Sequence, residues 1–193
     1  MAARTTRLDL ARPTLDDVDA LHAIYADPRV WTHFPSLRFT QREQTERMVA
    51  RWVAAWRTHG LGQRLLRAPG ESELLGHAGC EVRDDTFVNL GYRLAPLAHG
   101  RGLATEAALA AVAEAHERRP DLPVVASLVA HNHGSARVAT KVGLTLRHAA
   151  PDVGNPDPGV MRHVYADREL TDAELAATLR RDPTGLLRPG PAQ

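Results

Sequence analysis

The sequence lacks the cysteines of a disulfide-rich protein and the long apolar runs of a membrane protein. One cysteine, Cys80, stands among 193 residues, which excludes an internal disulfide framework and fits a reducing compartment. No apolar run approaches the ~20 residues that a membrane span requires, and the first residues lack the apolar segment of a signal peptide. These absences predict a soluble, cytoplasmic protein without a membrane partner.

The chain also has no clear excess of positive or of negative residues. The 24 Lys and Arg residues oppose 23 Asp and Glu residues, whereas nucleic-acid binders usually carry a clear basic surplus. We therefore expect no nucleic-acid partner. Of the ten histidines, His131 and His133 form the tightest pair, but no Cys or His partner stands at zinc-site spacing. The sequence therefore predicts no metal.

What is present is the length and the pattern of one α+β domain. Strand-like segments cover 5–12, 63–68, 74–82, 88–94, 124–129, 144–148 and 160–167. Thr40 and Glu43 predict a capping box at the start of a helix, and an Ala-rich helix is predicted within 96–119. No linker divides the chain, so we expect one domain over residues 1–181. A tail rich in proline and glycine follows over 182–193.

The most informative segment is a strand, a turn with Gly100 and Gly102, and a helix that begins at once. N–H groups at a helix N-terminus point towards whatever lies above it, and the helix dipole favours an anion there. A phosphate is therefore the natural ligand. A P-loop would need a Lys after the glycines, and a Rossmann turn would need a third glycine where Thr105 stands. A helix cap without a ligand is the alternative for an isolated Gly-x-Gly.

The turn is part of a longer pattern. The chain reads Leu90-Gly-Tyr-Arg-Leu-Ala-Pro, then Gly100-Arg-Gly-Leu-Ala-Thr-Glu-Ala, and, one strand later, Asn132-x-x-Ser135-x-x-Val138-x-x-Lys141-Val-Gly-Leu. In combination these segments resemble the acetyl-CoA core of the GNAT N-acetyltransferases, in the branch of the ribosomal-protein-alanine acetyltransferases RimJ and RimL. The resemblance extends over most of the chain, from Arg12-Pro13 to Tyr165.

The resemblance implies a fold, a cofactor and a set of binding residues. The fold is a mixed, mostly antiparallel sheet of six to seven strands with helices on both faces, and the co-substrate is acetyl-CoA. The residues implied in binding it are Leu94, His99, Gly100, Arg101, Gly102, Leu103, Ala104, Thr105, Asn132 and Arg137. The N–H of Leu94 would polarise the thioester carbonyl. The loop with Trp31, His33 and Phe34 would shape the acceptor pocket.

Three positions depart from the family's pattern. Leu97 stands where the family has Gln or Arg, Asn89 where many members have a carboxylate, and Ala139 where many have Tyr. Because the phosphate cradle consists of backbone N–H groups, the first change should leave pyrophosphate binding intact. The other two remove the usual general base and general acid.

Other residues are therefore expected to carry the catalytic roles in a direct attack of an amine on the thioester. Ser135 is expected to hydrogen-bond the leaving sulfur, and Asn132 to anchor the pantetheine arm or the acceptor backbone. Glu81 is the first choice of replacement base, ahead of Asp84 and His77.

The missing carboxylate favours an acceptor that needs little help from a base. An α-amine with a pKa of about 7.7–8 is roughly one quarter neutral near pH 7.4, whereas a Lys amine is neutral about once in a thousand molecules. We expect an N-acetyltransferase acting on a protein N-terminus or a small-molecule amine. The alternatives are a catalytically silent acyl-CoA-binding module and a nucleotide-binding regulator. A homodimer is compatible with each of these three functions.

Overall fold

The computed structural model describes residues 3–153 and 155–180, so the predicted tail over 182–193 lies outside the described residues. The strands are β1 (Ala3–Arg4), β2 (Asp9–Ala11), β3 (Gln63–Arg67), β4 (Gly76–Arg83), β5 (Phe87–Leu94), β6 (Val124–Val129), β7 (Thr145–Pro151) and β8 (Met161–Ala166). The helices are α1 (Val18–Tyr25), α2 (Arg42–His59), α3 (Leu103–Arg118), α4 (His133–Lys141) and α5 (Asp172–Leu179).

The strands form one mixed sheet in the order β1-β2-β3-β4-β5-β6-β8-β7. The pair β5–β6 is parallel, and every other described neighbouring pair is antiparallel. The predicted mixed, mostly antiparallel α+β sheet is confirmed. The described sheet has eight strands, one more than the upper end of the predicted six to seven. The opening segment folds back on itself at a turn in which Thr5 N donates to Leu8 O at 2.9 Å, and this makes two strands from one.

Helices cover both faces of the sheet, as predicted. Successive side chains of a strand point to opposite faces, and in β4 the Cys80 side chain packs in one core cluster with Ala108 of α3. His77, three residues earlier in β4 and therefore on the other face, has its ring 4.5 Å from that of Trp52 of α2. Helices α3 and α4 therefore lie on one face, and α1 and α2 on the other.

The cap of α2 differs from the prediction by one residue. Gln41, rather than Thr40, is the N-cap, and Gln44 rather than Glu43 closes the box. The Oε1 atom of Gln44 accepts from Gln41 N at 3.0 Å and from Thr40 N at 2.9 Å. Residue type favours Thr at the N-cap, but the Gln44 side chain accepts from both preceding N–H groups, and the helix begins one residue later than predicted.

The structure also bears on the expectations about a membrane span and about the single cysteine. Among the described helices, none combines the length and the apolarity needed to cross a membrane. Cys80 is buried, and burial raises the pKa of its thiol. Its sulfur is therefore held as a neutral thiol inside the core.

Candidate active site

The two parallel strands at the middle of the sheet separate after their first residues. The recorded pairs are Val88 with Val124 and Asn89 with Val125, although β5 continues to Leu94 and β6 to Val129. The last residues of both strands instead line a cavity of about 910 Å³. The cavity therefore opens through the sheet and connects its two faces.

The edge of β5 that faces this opening carries unpaired backbone groups. Neighbouring N–H groups of a strand point to opposite sides. Val88 N donates towards β6, to Pro123 O, and Ala95 N donates towards β4, to Leu75 O, each at 2.9 Å. Even-numbered residues of β5 therefore direct their N–H groups away from β4. This places the N–H of Leu94, and that of Tyr92, along the opening.

Helix α3 begins at the same opening. Its N-cap is Gly102, with φ +75°, and Gly100 has φ +73°, a left-handed conformation that glycine adopts without strain. The first helical hydrogen bond runs from Glu106 N to Gly102 O at 3.1 Å. The N–H groups of residues 103–105 have no carbonyl partner within the helix. They line the cavity and form a site suited to an anion.

Helix α4 forms the opposite wall of the opening. Asn132 is its N-cap, and its side chain accepts from Ser135 N at 3.0 Å. Ser135 is thus not the capping residue, and its side chain lies within hydrogen-bonding reach of the Tyr92 hydroxyl. Tyr92 O–H donates to the carbonyl of Ser135 at 3.0 Å and ties β5 to α4. Burial raises the pKa of Tyr92 to about 12, so this donor stays protonated.

We call this part of the cavity, bounded by residues 94–105 and 132–141, the helix side. Its residue His99 braces the glycine turn, with Nε2 at 2.9 Å from the carbonyl oxygen of Leu94. Since a carbonyl only accepts, Nε2 carries the hydrogen. Leu97, the first departure from the family's pattern, is 52% exposed and does not line the cavity. Its replacement of Gln or Arg therefore leaves the cavity wall unchanged.

The other part of the cavity, on the face of α1 and α2, is aromatic. We call it the aromatic side and define it by Tyr25, Trp31, His33, Phe34, Phe39 and Arg93. The guanidinium of Arg93 lies 3.6 Å from the ring centre of Trp31 and 5.2 Å from that of Tyr25. Its Nη1 donates to Val30 O at 2.8 Å. The loop after α1 is thus fixed against β5.

A buried chain of hydrogen bonds runs beneath the aromatic side. Gln63 Nε2 donates to Glu81 Oε1 at 3.2 Å, which leaves Gln63 Oε1 to accept from His77 Nδ1 at 2.9 Å. His77 Nε2 must then accept from the Tyr25 hydroxyl at 2.7 Å. Burial, with Arg93 and Arg51 nearby, lowers the pKa of His77 to about 3. His77 is therefore a neutral acceptor that holds Tyr25 in place.

Glu81 ends this chain away from the cavity, so its expected role as the base is not supported by its position. It is 4% exposed and does not line the cavity. Its Oε2 lies 3.1 Å from Arg83 Nη2 and 3.7 Å from Arg51 Nε. Two arginines therefore lie beside this carboxyl group, and Gln63 and His77 separate it from Tyr25. Glu81 is therefore a counter-ion inside the core.

The structure brings together most of the other residues that the sequence singled out. Leu94, His99, Gly100, Gly102, Leu103, Ala104, Thr105, Asn132, Ser135, Arg137, Trp31, His33 and Phe34 all line the one cavity. Arg101 does not. It is exposed, and its carbonyl oxygen accepts from Arg7 Nη1 at 2.8 Å. The Arg101 backbone is thus held at the outer surface of the turn.

The charge of the cavity is one-sided, in contrast to that of the whole chain. Among its described lining residues there is no Asp and no Glu, whereas the cations Arg29, Arg93, Arg137, Lys141 and Arg162 are present. Asp27 pairs with Arg29 and Asp152 with Arg162, each at 2.6 Å. The other three cations have no described carboxylate within ion-pair distance. The cavity therefore favours anionic ligands.

Comparison with known proteins agrees with this geometry. Residues 7–145 match the sequence model of the acetyltransferase (GNAT) domain. The chain belongs to the GNAT acetyltransferase family. Its sheet, its helices on both faces and the opening between two parallel strands are thus those of a GNAT fold.

Several solved structures share this fold. A GNAT acetyltransferase of Bacillus anthracis is 21% identical, with a TM-score of 0.70 over 86% of this chain and 97% of the other. An acetyltransferase of Agrobacterium tumefaciens is 27% identical, with a TM-score of 0.67 over 86% and 94%. RimL, a ribosomal L7/L12 α-N-protein acetyltransferase in complex with coenzyme A, is 21% identical, with a TM-score of 0.70 over 88% and 97%.

Sequence reasoning missed four side chains of this GNAT site: Tyr25, Tyr92, Arg93 and Lys141. Tyr92 and Arg93 follow directly on the Gly91 of the recognised pattern, so alternation along β5 could have assigned one to each face of the sheet. Lys141 ends α4 and lines the cavity, and it is the single Lys of the sequence. No local signal identifies Tyr25, because its position depends on the packing of α1 on the sheet.

Proposed function

We propose that the protein transfers the acetyl group of acetyl-CoA to a primary amine, either a protein N-terminal α-amine or the amine of a small molecule. The observation that carries the proposal is the opening between β5 and β6. There the unpaired edge of one strand leads to the free N–H groups of α3. An extended arm with amide groups fits such an edge by adding to it as a strand does, and a diphosphate fits the helix N-terminus.

The residues suit these two parts of acetyl-CoA. The N–H groups of residues 103–105 would hold the diphosphate, and Arg137 and Lys141 on α4 add positive charge on the same side. Gly100 leaves room for it, since a Cβ placed there would meet no atom within 4 Å. The N–H groups of Tyr92 and Leu94 would receive the arm and the thioester carbonyl. A structural neighbour with this fold is described in complex with coenzyme A.

The chemistry is a direct substitution at the thioester carbonyl. The amine nitrogen forms the new bond to the carbonyl carbon, the C–S bond breaks, and the proton lost by nitrogen ends on the sulfur of CoA. The Leu94 N–H would stabilise the negative charge that develops on the carbonyl oxygen. The Ser135 hydroxyl, which is free of the helix cap, would donate to the leaving sulfur, while Asn132 holds the N-terminus of α4 in place.

The described residues of the cavity wall offer no carboxylate base, so the acceptor amine is expected to enter in its neutral form. An α-amine supplies that form in a useful fraction at neutral pH, and a Lys amine does not. Unpaired cations in the cavity favour the neutral amine further, since they repel an ammonium group. This supports an α-amine, or another amine of low pKa, as the acceptor.

The test is release of CoA thiol from acetyl-CoA in the presence of a panel of amines, with the acetylated product identified by mass spectrometry. We expect amine-dependent thiol release and a product heavier by one acetyl group. The amines should include an N-terminal peptide with a free α-amine and the same peptide with only a Lys amine. A protein that binds CoA tightly, yet releases no thiol above background with any amine, would be the silent binding module instead.

A further inference from the structure

Arg93 is a cation of the cavity wall whose charge has no anionic partner among the described residues. Its neighbours within the described residues are the rings of Trp31 and Tyr25, the Tyr25 hydroxyl and the backbone carbonyl of Val30. No described Asp or Glu lies within ion-pair distance of it. Burial lowers the pKa of its guanidinium, because taking an unpaired charge out of water is unfavourable.

The surroundings of Arg93 add to this positive character and do not cancel it. His33 on the same side is held neutral, with a pKa lowered to about 4 by burial and by Arg93 and His131. His77 beneath is held neutral in part by the same guanidinium. Glu81, the buried carboxylate at the end of the hydrogen-bond chain through His77, is already paired with Arg83 and Arg51. The anion that would neutralise Arg93 is therefore not supplied by the described chain.

A second polar group without a partner lies on the same face of the sheet. The Ser127 hydroxyl is buried, has no hydrogen-bond partner in the structure and belongs to the cavity wall. In β6 it lies between Ala126 and Leu128, which pack in one core cluster with Ala108 of α3, so Ser127 points to the opposite face, that of α1 and α2. A buried hydroxyl without a partner is uncommon in native proteins.

We propose that the acceptor amine carries a carboxylate that binds Arg93, with Ser127 as a further hydrogen-bond donor. This rests on the proposed acetyl transfer and specifies its acceptor. The planar guanidinium suits a carboxylate, and the cation-lined cavity disfavours di- and polyamines. The carboxylate can be the α-carboxylate of a small amino compound or the side chain of an acidic residue next to a protein N-terminus.

The test compares acceptors whose α-amines have similar pKa values. For a small molecule, these are Ala-Ala and its C-terminal amide. For an N-terminal side chain, they are the amides of Ala-Glu, Ala-Gln and Ala-Lys. We expect kcat/KM for the carboxylate member of at least one set to exceed that for its amide by about 10- to 100-fold, as for a charge-assisted hydrogen bond. The set with the larger ratio identifies the source of the carboxylate, and Ala-Lys amide should be the poorest acceptor.

The Arg93→Gln variant should bring this ratio below about threefold, and the Arg93→Lys variant, which retains the charge, should preserve a ratio above that of the Gln variant. Thermal melting and CoA affinity report whether each variant is folded. If Arg93→Gln does not fold, the proposal is tested on the wild-type protein and on Arg93→Lys. A wild-type ratio near one, or a ratio that Arg93→Lys leaves unchanged, then overturns it. Equal kcat/KM for carboxylate and amide acceptors, or an unchanged ratio in Arg93→Gln, would overturn the proposal.

A binding measurement separates this proposal from the proposed function. Equilibrium dialysis of N-acetyl-Ala-Ala and N-acetyl-Ala-Glu amide, each against its uncharged counterpart, needs no turnover. Tighter binding of a carboxylate form that is lost in Arg93→Gln supports the inference, even if no amine is acetylated and the transferase proposal fails. Transfer to amines without any preference for a carboxylate would refute the inference alone.

Discussion

The two sides of the cavity differ in what they present to a ligand. The helix side presents mainly backbone N–H groups, from β5 and from the first turn of α3, and glycines that allow close approach. The aromatic side presents side chains, with Arg93 stacked on Trp31 and Tyr25. A backbone site depends on local geometry and tolerates changes such as Leu97, whereas a side-chain site depends on residue identity. The shared chemistry should therefore lie on the helix side, and the choice of acceptor on the aromatic side.

The largest expected effect tests the backbone site. Gly100→Asp places a carboxylate where the diphosphate of CoA is expected, and its repulsion from the two negative charges of the diphosphate should raise the Kd for CoA by about 1000-fold. Gly70→Asp is the matched control, because Gly70 also has positive φ, at +81°, and equal open space around its Cβ. Isothermal titration with CoA measures both. Equal affinities in the two variants would show that the diphosphate does not bind at the glycine turn.

The next effect concerns Glu81 beneath the aromatic side. Glu81→Gln should lower the free energy of unfolding by about 3 kcal/mol, because it leaves the buried charges of Arg83 and Arg51 without their anion. The same change at the exposed Glu169, paired with Arg147, should cost less than about 0.5 kcal/mol. Urea unfolding measures both variants.

The activity of the same variant distinguishes a counter-ion from a base. We expect kcat/KM of folded Glu81→Gln to fall by less than about threefold, with an unchanged pH profile. A fall of about 100-fold or more, with loss of one ionisation from the profile, would make Glu81 the general base after all.

A smaller effect is the pH dependence that His77 gives to stability. Its folded pKa of about 3 is below the ordinary value of about 6.5, so the unfolded chain binds the proton first. Stability is therefore complete above pH 6.5 and falls on acidification towards pH 3, by about 2 kcal/mol between pH 6.5 and pH 5. Urea unfolding at pH 6.5 and at pH 5 measures how much free energy of unfolding each protein loses on acidification. The His77→Gln variant should lose about 2 kcal/mol less than the wild type. The same loss in both proteins would contradict a buried neutral His77.

The smallest effect concerns the leaving sulfur. Ser135→Ala removes one hydrogen-bond donor, so kcat should fall by about tenfold, with the Kd for CoA changed by less than about twofold. Thr140→Ala, in the same helix, is the control, because its hydroxyl bonds to the helix carbonyl of Ala136 at 3.1 Å. An unchanged kcat in Ser135→Ala would leave the hydroxyl without a role in the reaction.

The difference between the two sides also explains what the sequence could predict. The glycine turn and α3 are local patterns, and β6 lies over residues 124–129 as predicted. The aromatic side depends on contacts between residues far apart in the chain, such as Tyr25 with His77 and Arg93 with Val30. The sequence favours Glu81 as a base because it lies in the strand before the Gly-Tyr strand. Only the tertiary structure places two arginines beside it.

The measurement that tests the central claim most directly is a single-turnover experiment. Protein in excess over acetyl-CoA carrying a labelled acetyl group is mixed with an α-amine acceptor, and the label is followed on acetyl-CoA, protein and amine. Direct transfer predicts that label moves from acetyl-CoA to the amine, with none on the protein at any time and CoA thiol released in equal amount. Label that accumulates on the protein before the amine, or that never leaves acetyl-CoA although it is bound, would contradict the account.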